Sequence, residues 1–223
     1  NLWQTSMSHS KPLPRPSTLS PKPGTAASPT GALAPRAGLT PPKAAAPAPR
    51  VASPVLKTGD IGVLQARPGE QVHLLAGQMY FGSAAARVHT LLGSCVAVTL
   101  WNPVKRIGGM CHFLLPNRNR PAGAPRDARF GTESLEMLVE ALQRAGTKPS
   151  DYTVHLYGGA DTMPDTGGIK FNVGERNIEQ GWTLIDQYGF NLENVDVGDH
   201  VPRNVSMTFP DGKVEMRRGK SMK

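Results

Sequence analysis

The sequence predicts an α/β or α+β fold, a layered sandwich of mixed β-sheet with flanking helices, preceded by a disordered arm. Three observations predict it. Short apolar or β-branched runs bounded by glycine and proline recur between residues 71 and 216. Two stretches with apolar residues at helical spacing interrupt them, and strands outnumber helices. Residues 1–57 hold 12 of the 21 prolines and no Asp or Glu. Such a segment has too little apolar surface to offset the entropy of ordering. The expected organisation is therefore a Pro/Ala-rich basic arm over residues 1–57 and one folded domain over residues 58–223.

Charge follows the same division. The formal +8 is the balance of 25 basic and 17 acidic residues, and seven of the basic ones lie in the arm. The folded part keeps 18 basic against 17 acidic residues, a net +1. A nucleic-acid function for the domain has little electrostatic support, and the arm's charges are too dilute for a strong phosphate-binding patch. No apolar run is long enough for a signal-peptide core or a membrane span. Two cysteines and no export signal point to a reducing cytoplasm.

The elements are justified in order. Residues 71–75 and 79–81 are short strand candidates separated by Gly77, and residues 84–87 form a loop leading into the Thr90 stretch. Residues 96–100 and the run from Gly108 to Leu115 flank a turn at Asn102-Pro103 and predict two buried strands, either a hairpin or two neighbouring strands. Residues 117–127 are polar and rich in Gly and Pro, which predicts a mobile surface loop. Thr132 is the expected N-cap of a first helix, with Leu135, Leu138, Val139 and Leu142 on its apolar stripe and Gly146 as its stop. A strand over residues 153–157 runs into Gly158-Gly159-Ala160. A second helix over residues 177–188 is expected to bury Ile178, Trp182 and Ile185, with Gly189 closing it. Residues 192–197 form a further strand. Residues 205–209 and 213–216 flank Pro210-Asp211-Gly212, a tight-turn signal for a last hairpin.

The residues that carry chemistry lie on this first pair of strands. Cys95 sits at the mouth of one strand after Gly93-Ser94, and His112 lies inside the next, so the two can face each other. A free thiol with a pKa near 8.5 is only about 3% thiolate at neutral pH. A neighbouring imidazolium lowers that pKa, which predicts a thiolate–imidazolium pair, and the histidine can then pass a proton to a leaving amine. Gly93 and Ser94 allow a sharp turn, and backbone N–H groups there can meet a developing oxyanion; Gly108 and Gly109 are further candidates for an oxyanion or substrate loop. The pattern equally allows Cys95 to be a small buried apolar residue. Cys111 alternates with His112, so it is expected on the opposite face and in the core. The same alternation speaks against a metal site at Cys111-His112, and paired CxxC spacing is missing. His73, His89, His155 and His200 show no partner in the sequence and read as structural or surface residues.

Four motifs decide between these readings. Residues 90–98 around Gly93-Ser94-Cys95, residues 108–116 around Cys111-His112, Gly158-Gly159-Ala160, and Asn172-Val173-Gly174-Glu175-Arg176-Asn177 together resemble the chemoreceptor glutamine deamidase family, CheD, over about residues 70–218. The resemblance implies an α/β sandwich related to bacterial toxin deamidases. It also implies hydrolysis of selected glutamine side chains on methyl-accepting chemotaxis receptors, with Cys95 as nucleophile, His112 as general base and Thr90 as the supporting residue. It implies no metal or organic cofactor, and a CheC-type phosphatase as a candidate partner. Two departures concern substrate or partner contacts more than the chemistry. A phenylalanine commonly follows the methionine of Asp161-Thr162-Met163-Pro164, and Asp199 stands where a second glycine follows Gly198. The alternatives are a catalytically silent module that docks on receptors or on a CheC-type phosphatase, and a cysteine hydrolase acting on a different amide.

Overall fold

The computed structural model describes residues 59–161, 172–209 and 211–220. The expected arm at residues 1–57 and the departure at Thr162-Met163-Pro164 lie outside the described residues. In chain order the strands are β1 (Val63–Leu64), β2 (Gln71–His73), β3 (Gln78–Gly82), β4 (Arg87–Leu92), β5 (Val96–Asn102) and β6 (Ile107–Phe113). Helix α1 (Gly131–Arg144), strand β7 (Thr153–Gly158) and helix α2 (Val173–Tyr188) follow, then β8 (Asn191–Val197), β9 (Arg203–Thr208) and β10 (Val214–Arg218).

These strands form two mixed sheets, one of six strands in the order β1-β3-β6-β5-β7-β8 and one of four in the order β10-β9-β4-β2. Of the two expected arrangements the hairpin is present: β5 and β6 pair antiparallel with Ala97 opposite His112 and Val98 opposite Cys111. Every residue of both strands is buried, because each face of the central sheet is covered. Alternation sorts their side chains into two layers. Val96, Val98, Leu100, Ile107, Cys111 and Phe113 join Leu135, Leu138 and Leu142 of α1 and Leu184 and Ile185 of α2 in one core. Ala97, Trp101 and Met110 join Val88 and Leu92 of β4 and Val205 and Met207 of β9 in the other, between the sheets. The order of layers is therefore helices, six-stranded sheet, four-stranded sheet. Burying each aliphatic side chain of these cores stabilises the fold by roughly 1.5–3 kcal/mol.

Several boundaries differ from the sequence expectation. Residue 87 opens β4 rather than closing a loop. Thr132 lies inside α1, whose N-cap is Phe130 without a side-chain cap; the Thr132 hydroxyl instead reaches the Pro116 carbonyl. Helix α2 starts earlier, capped by Asn172, whose side chain accepts from the Glu175 N–H at 3.1 Å. Its buried stripe is Gly174, Asn177, Gly181, Leu184 and Ile185, and Trp182 is 44% exposed. The helix thus turns small and polar positions toward the sheet, which a hydrophobicity pattern does not register. Residues 117–127 are also more constrained than expected. Arg118 forms a two-pronged ion pair with the buried Glu133 carboxylate at 2.7 and 3.0 Å, and Arg126 pairs with Asp60 and Glu140. The Gly146 and Gly189 stops hold, both at positive φ.

Candidate active site

Cys95 and His112 both face the layer between the sheets. Cys95 immediately precedes β5, so it continues the face of Ala97, which sits opposite His112. Cys95 packs, partly buried, on the inter-sheet core, whereas Cys111 is fully buried in the helix-side core. The two cysteines therefore lie on opposite sides of the sheet, as alternation predicts.

The third candidate arrives from the other sheet. Thr90 on β4 places its hydroxyl 2.7 Å from the His112 Nδ1 and 2.7 Å from the Leu74 carbonyl oxygen. A threonine hydroxyl has one proton. Donated to the Leu74 carbonyl, it leaves the oxygen as an acceptor, so His112 Nδ1 must carry the hydrogen of that contact. The Leu74 carbonyl also favours the protonated ring. The neutral ring is then the Nδ1–H tautomer, with the Nε2 lone pair available. Nε2 is buried and without a hydrogen-bond partner among the described residues. That is the state of a base waiting for a proton.

Electrostatics correct the expected thiolate–imidazolium pair. Burial pulls His112 from 6.5 down to about 4, against the opposing pull of the Leu74 carbonyl and with a smaller push from His73. Burial also raises the Cys95 thiol above its ordinary value, and pushes Cys111 up to about 12. The layer between two sheets penalises charge on either partner, so the resting pair at neutral pH is thiol and imidazole.

The turn before Cys95 is tied down carbonyl by carbonyl. Ala160 N–H donates to the Gly93 oxygen at 2.9 Å and Gly159 N–H to the Cys95 oxygen at 2.7 Å. The close approach requires glycines: a Cβ on Gly158 would sit 2.2 Å from the Cys95 oxygen, and one on Gly159 would strike Ile178 of α2. Asn177 on α2 reaches the Ser94 oxygen at 3.2 Å and the Leu114 oxygen at 2.8 Å through its Nδ2. Sequence reasoning assigned Asn177 no role in the site; the available signal was a polar residue on the stripe that α2 turns inward. Gly108 and Gly109 are not in a loop. They lie within β6, where a Cβ would strike Trp101 and Met207 at Gly108, or the Tyr80 carbonyl at Gly109. The structure therefore gives them a packing role. Of the other histidines, His73 and His89 stack with ring centroids 4.5 Å apart, His155 bonds Tyr157 and His200 meets the Asp161 carbonyl.

Comparison with known proteins bears on the family of the chain. Residues 114–218 match the family model described as CheD chemotactic sensory transduction. The chain is 38% identical over 146 residues to the "Probable chemoreceptor glutamine deamidase CheD" of Pseudomonas syringae pv. tomato, covering 65% of this chain and 86% of that protein. The chain belongs to the CheD family. It is also 44% identical over 124 residues to the "Probable chemoreceptor glutamine deamidase CheD 3" of Dechloromonas aromatica, covering 55% of this chain and 73% of that one. A solved structure of the Bacillus licheniformis hypothetical protein YfiH matches 53% of this chain and 49% of its own at 12% identity, with a TM-score of 0.31. Gly158, Gly159, Ala160 and Asn177 fall within the span matched by the CheD model, while Thr90, Cys95 and His112 precede it. Among the described residues, no helix of this CheD-family chain is long and apolar enough to cross a membrane.

Proposed function

We propose that this protein is a chemoreceptor glutamine deamidase in which Cys95 is the nucleophile, His112 the base and Thr90 the residue that orients it. The observation that carries the reading is the Thr90–His112 contact, which leaves Nε2 as a buried acceptor on the face that Cys95 shares. In the forward step, His112 Nε2 takes the thiol proton as Sγ attacks the side-chain carbonyl carbon of glutamine. The tetrahedral oxyanion forms beside the Gly93-Ser94-Cys95 turn. As it collapses, His112 returns the proton to the nitrogen, ammonia leaves and a thioester remains. Water activated by the same imidazole then releases glutamate and the free thiol. The substrate is the cytoplasmic part of a methyl-accepting chemotaxis receptor, where the new carboxylate is a site for methylation; a CheC-type phosphatase is the proposed partner. The working domain is residues 58–223.

Intact-mass analysis of receptor cytoplasmic domains incubated with the protein tests this. Each converted glutamine adds about one dalton, and the step consumes water and releases one ammonia. Mass gain with wild type and none with Cys95→Ala supports the reading. Receptor binding without mass gain would point to a catalytically silent docking module instead.

A further inference from the structure

Asn177 is a buried polar group beside the Cys95 turn that the Cys95–His112–Thr90 scheme does not use. It is fully buried on α2, and it spends both amide hydrogens on carbonyls from two different segments of the site. One is the Ser94 oxygen, in the peptide that joins Ser94 to the nucleophile. The other is the Leu114 oxygen, two residues beyond His112. Both partners are acceptors, so the amide orientation is fixed: Nδ2 faces them. Its Oδ1 is left buried with no partner among the described residues. A buried orphan acceptor is unfavourable, so the fold accepts a penalty to keep this amide pointing at the Cys95 turn.

The consequence follows from peptide geometry. In a planar trans peptide the C=O and the following N–H point in opposite directions. The Gly93, Ser94 and Cys95 oxygens are held by Ala160 N–H, Asn177 Nδ2 and Gly159 N–H respectively. The Ser94 and Cys95 N–H groups must therefore point away from Ala160 and from Asn177 respectively, and neither has a backbone partner among the described residues. We infer that Asn177 is a positioning residue. By holding the Ser94 carbonyl it aims the N–H of Cys95 at the oxyanion, and by holding the Leu114 carbonyl it keeps that donor in register with His112. The inference rests on the acyl-transfer reading of Cys95.

The test compares two reactions of the same thiol in the full chain. Iodoacetamide alkylates Cys95 by displacement at a saturated carbon and develops no oxyanion. p-Nitrophenyl acetate acylates it through a tetrahedral oxyanion, forming the S–C bond and expelling p-nitrophenolate. Asn177→Ala should slow acylation roughly 10- to 100-fold, somewhat less than the 100- to 1,000-fold for deleting a donor outright, while alkylation changes by less than about threefold. Cys95→Ala should remove both signals and assign them to this thiol. Equal losses in the two reactions would overturn the inference, because Asn177 would then act on the thiol or on the fold as a whole. Acylation unchanged within about threefold, or a wild type that alkylates but does not acylate, would also overturn it. If Asn177→Ala does not fold, Asn177→Leu, which keeps the shape but has no donor, is read by the same ratio. Neither reagent needs a receptor, so failure to deamidate receptors would refute the proposed substrate without deciding this point.

Discussion

The sharpest prediction concerns the protonation of His112. Burial lowers its pKa from 6.5 to about 4 in the folded protein, whereas in the unfolded chain it returns to the ordinary value. The folded state therefore refuses a proton that the unfolded state accepts between those two values. Above 6.5 neither state is protonated and the group contributes no pH dependence. As pH falls below 6.5 the unfolded state binds the proton and gains, until the folded pKa is reached near 4. At about 1.36 kcal/mol per pH unit, the loss reaches about 3 kcal/mol by pH 4, a large share of the roughly 5–15 kcal/mol typical of a domain. His112→Gln removes the group while keeping a polar side chain. Urea denaturation of both proteins at steps from about pH 7.5 to about pH 4 measures the difference in stability between them. Carboxylates such as Asp127 and Glu133, held low by arginine neighbours and backbone N–H groups against the opposing effect of burial, titrate in both proteins and cancel in the difference. Wild type should lose about 3 kcal/mol relative to His112→Gln on acidification. A flat difference, or a wild type that gains as pH falls below neutral, would refute the reasoning. The latter slope belongs to an imidazolium stabilised by a thiolate.

The other predictions follow from single contacts. Thr90→Val keeps the shape of the side chain but removes the acceptor for Nδ1–H; kcat should fall roughly 10- to 100-fold with KM nearly unchanged, measured by ammonia release. Cys111→Ala should keep most of the wild-type kcat and lose about 1–2 kcal/mol in a denaturation curve, since its thiol only fills the helix-side core. Glu133→Gln weakens the carboxylate that accepts from Arg118 and from the Asp127 N–H. It should cost about 2 kcal/mol and accelerate proteolysis within residues 117–127, read by limited digestion. A chain beginning at Gly59 should melt at the wild-type temperature, because residues 1–57 carry no apolar periodicity. Asp60→Ala should lower it through loss of the Asp60–Arg126 pair.

Local pattern determined a good deal of this protein. β-branched runs between glycines and prolines marked β5 and β6 as buried strands, and period-two alternation put Cys111 and His112 on opposite faces. The Asp-Gly pair marked the turn before β10, and Gly146 and Gly189 marked the helix ends. These features are short-range, so a few adjacent residues encode them. What tertiary structure alone decided involves residues far apart in the chain. The resemblance named Thr90, but its contact with His112 exists only because β4 pairs with β9, over a hundred residues later, to build the second sheet. Asn177 matters because α2 lies across the end of β5. Trp182 is exposed because α2 presents its small-residue stripe to the sheet instead. The neutral resting state of the pair was likewise outside the reach of sequence. Residue types name the thiol and the imidazole, but only the summed burial from two sheets sets which charge either can bear.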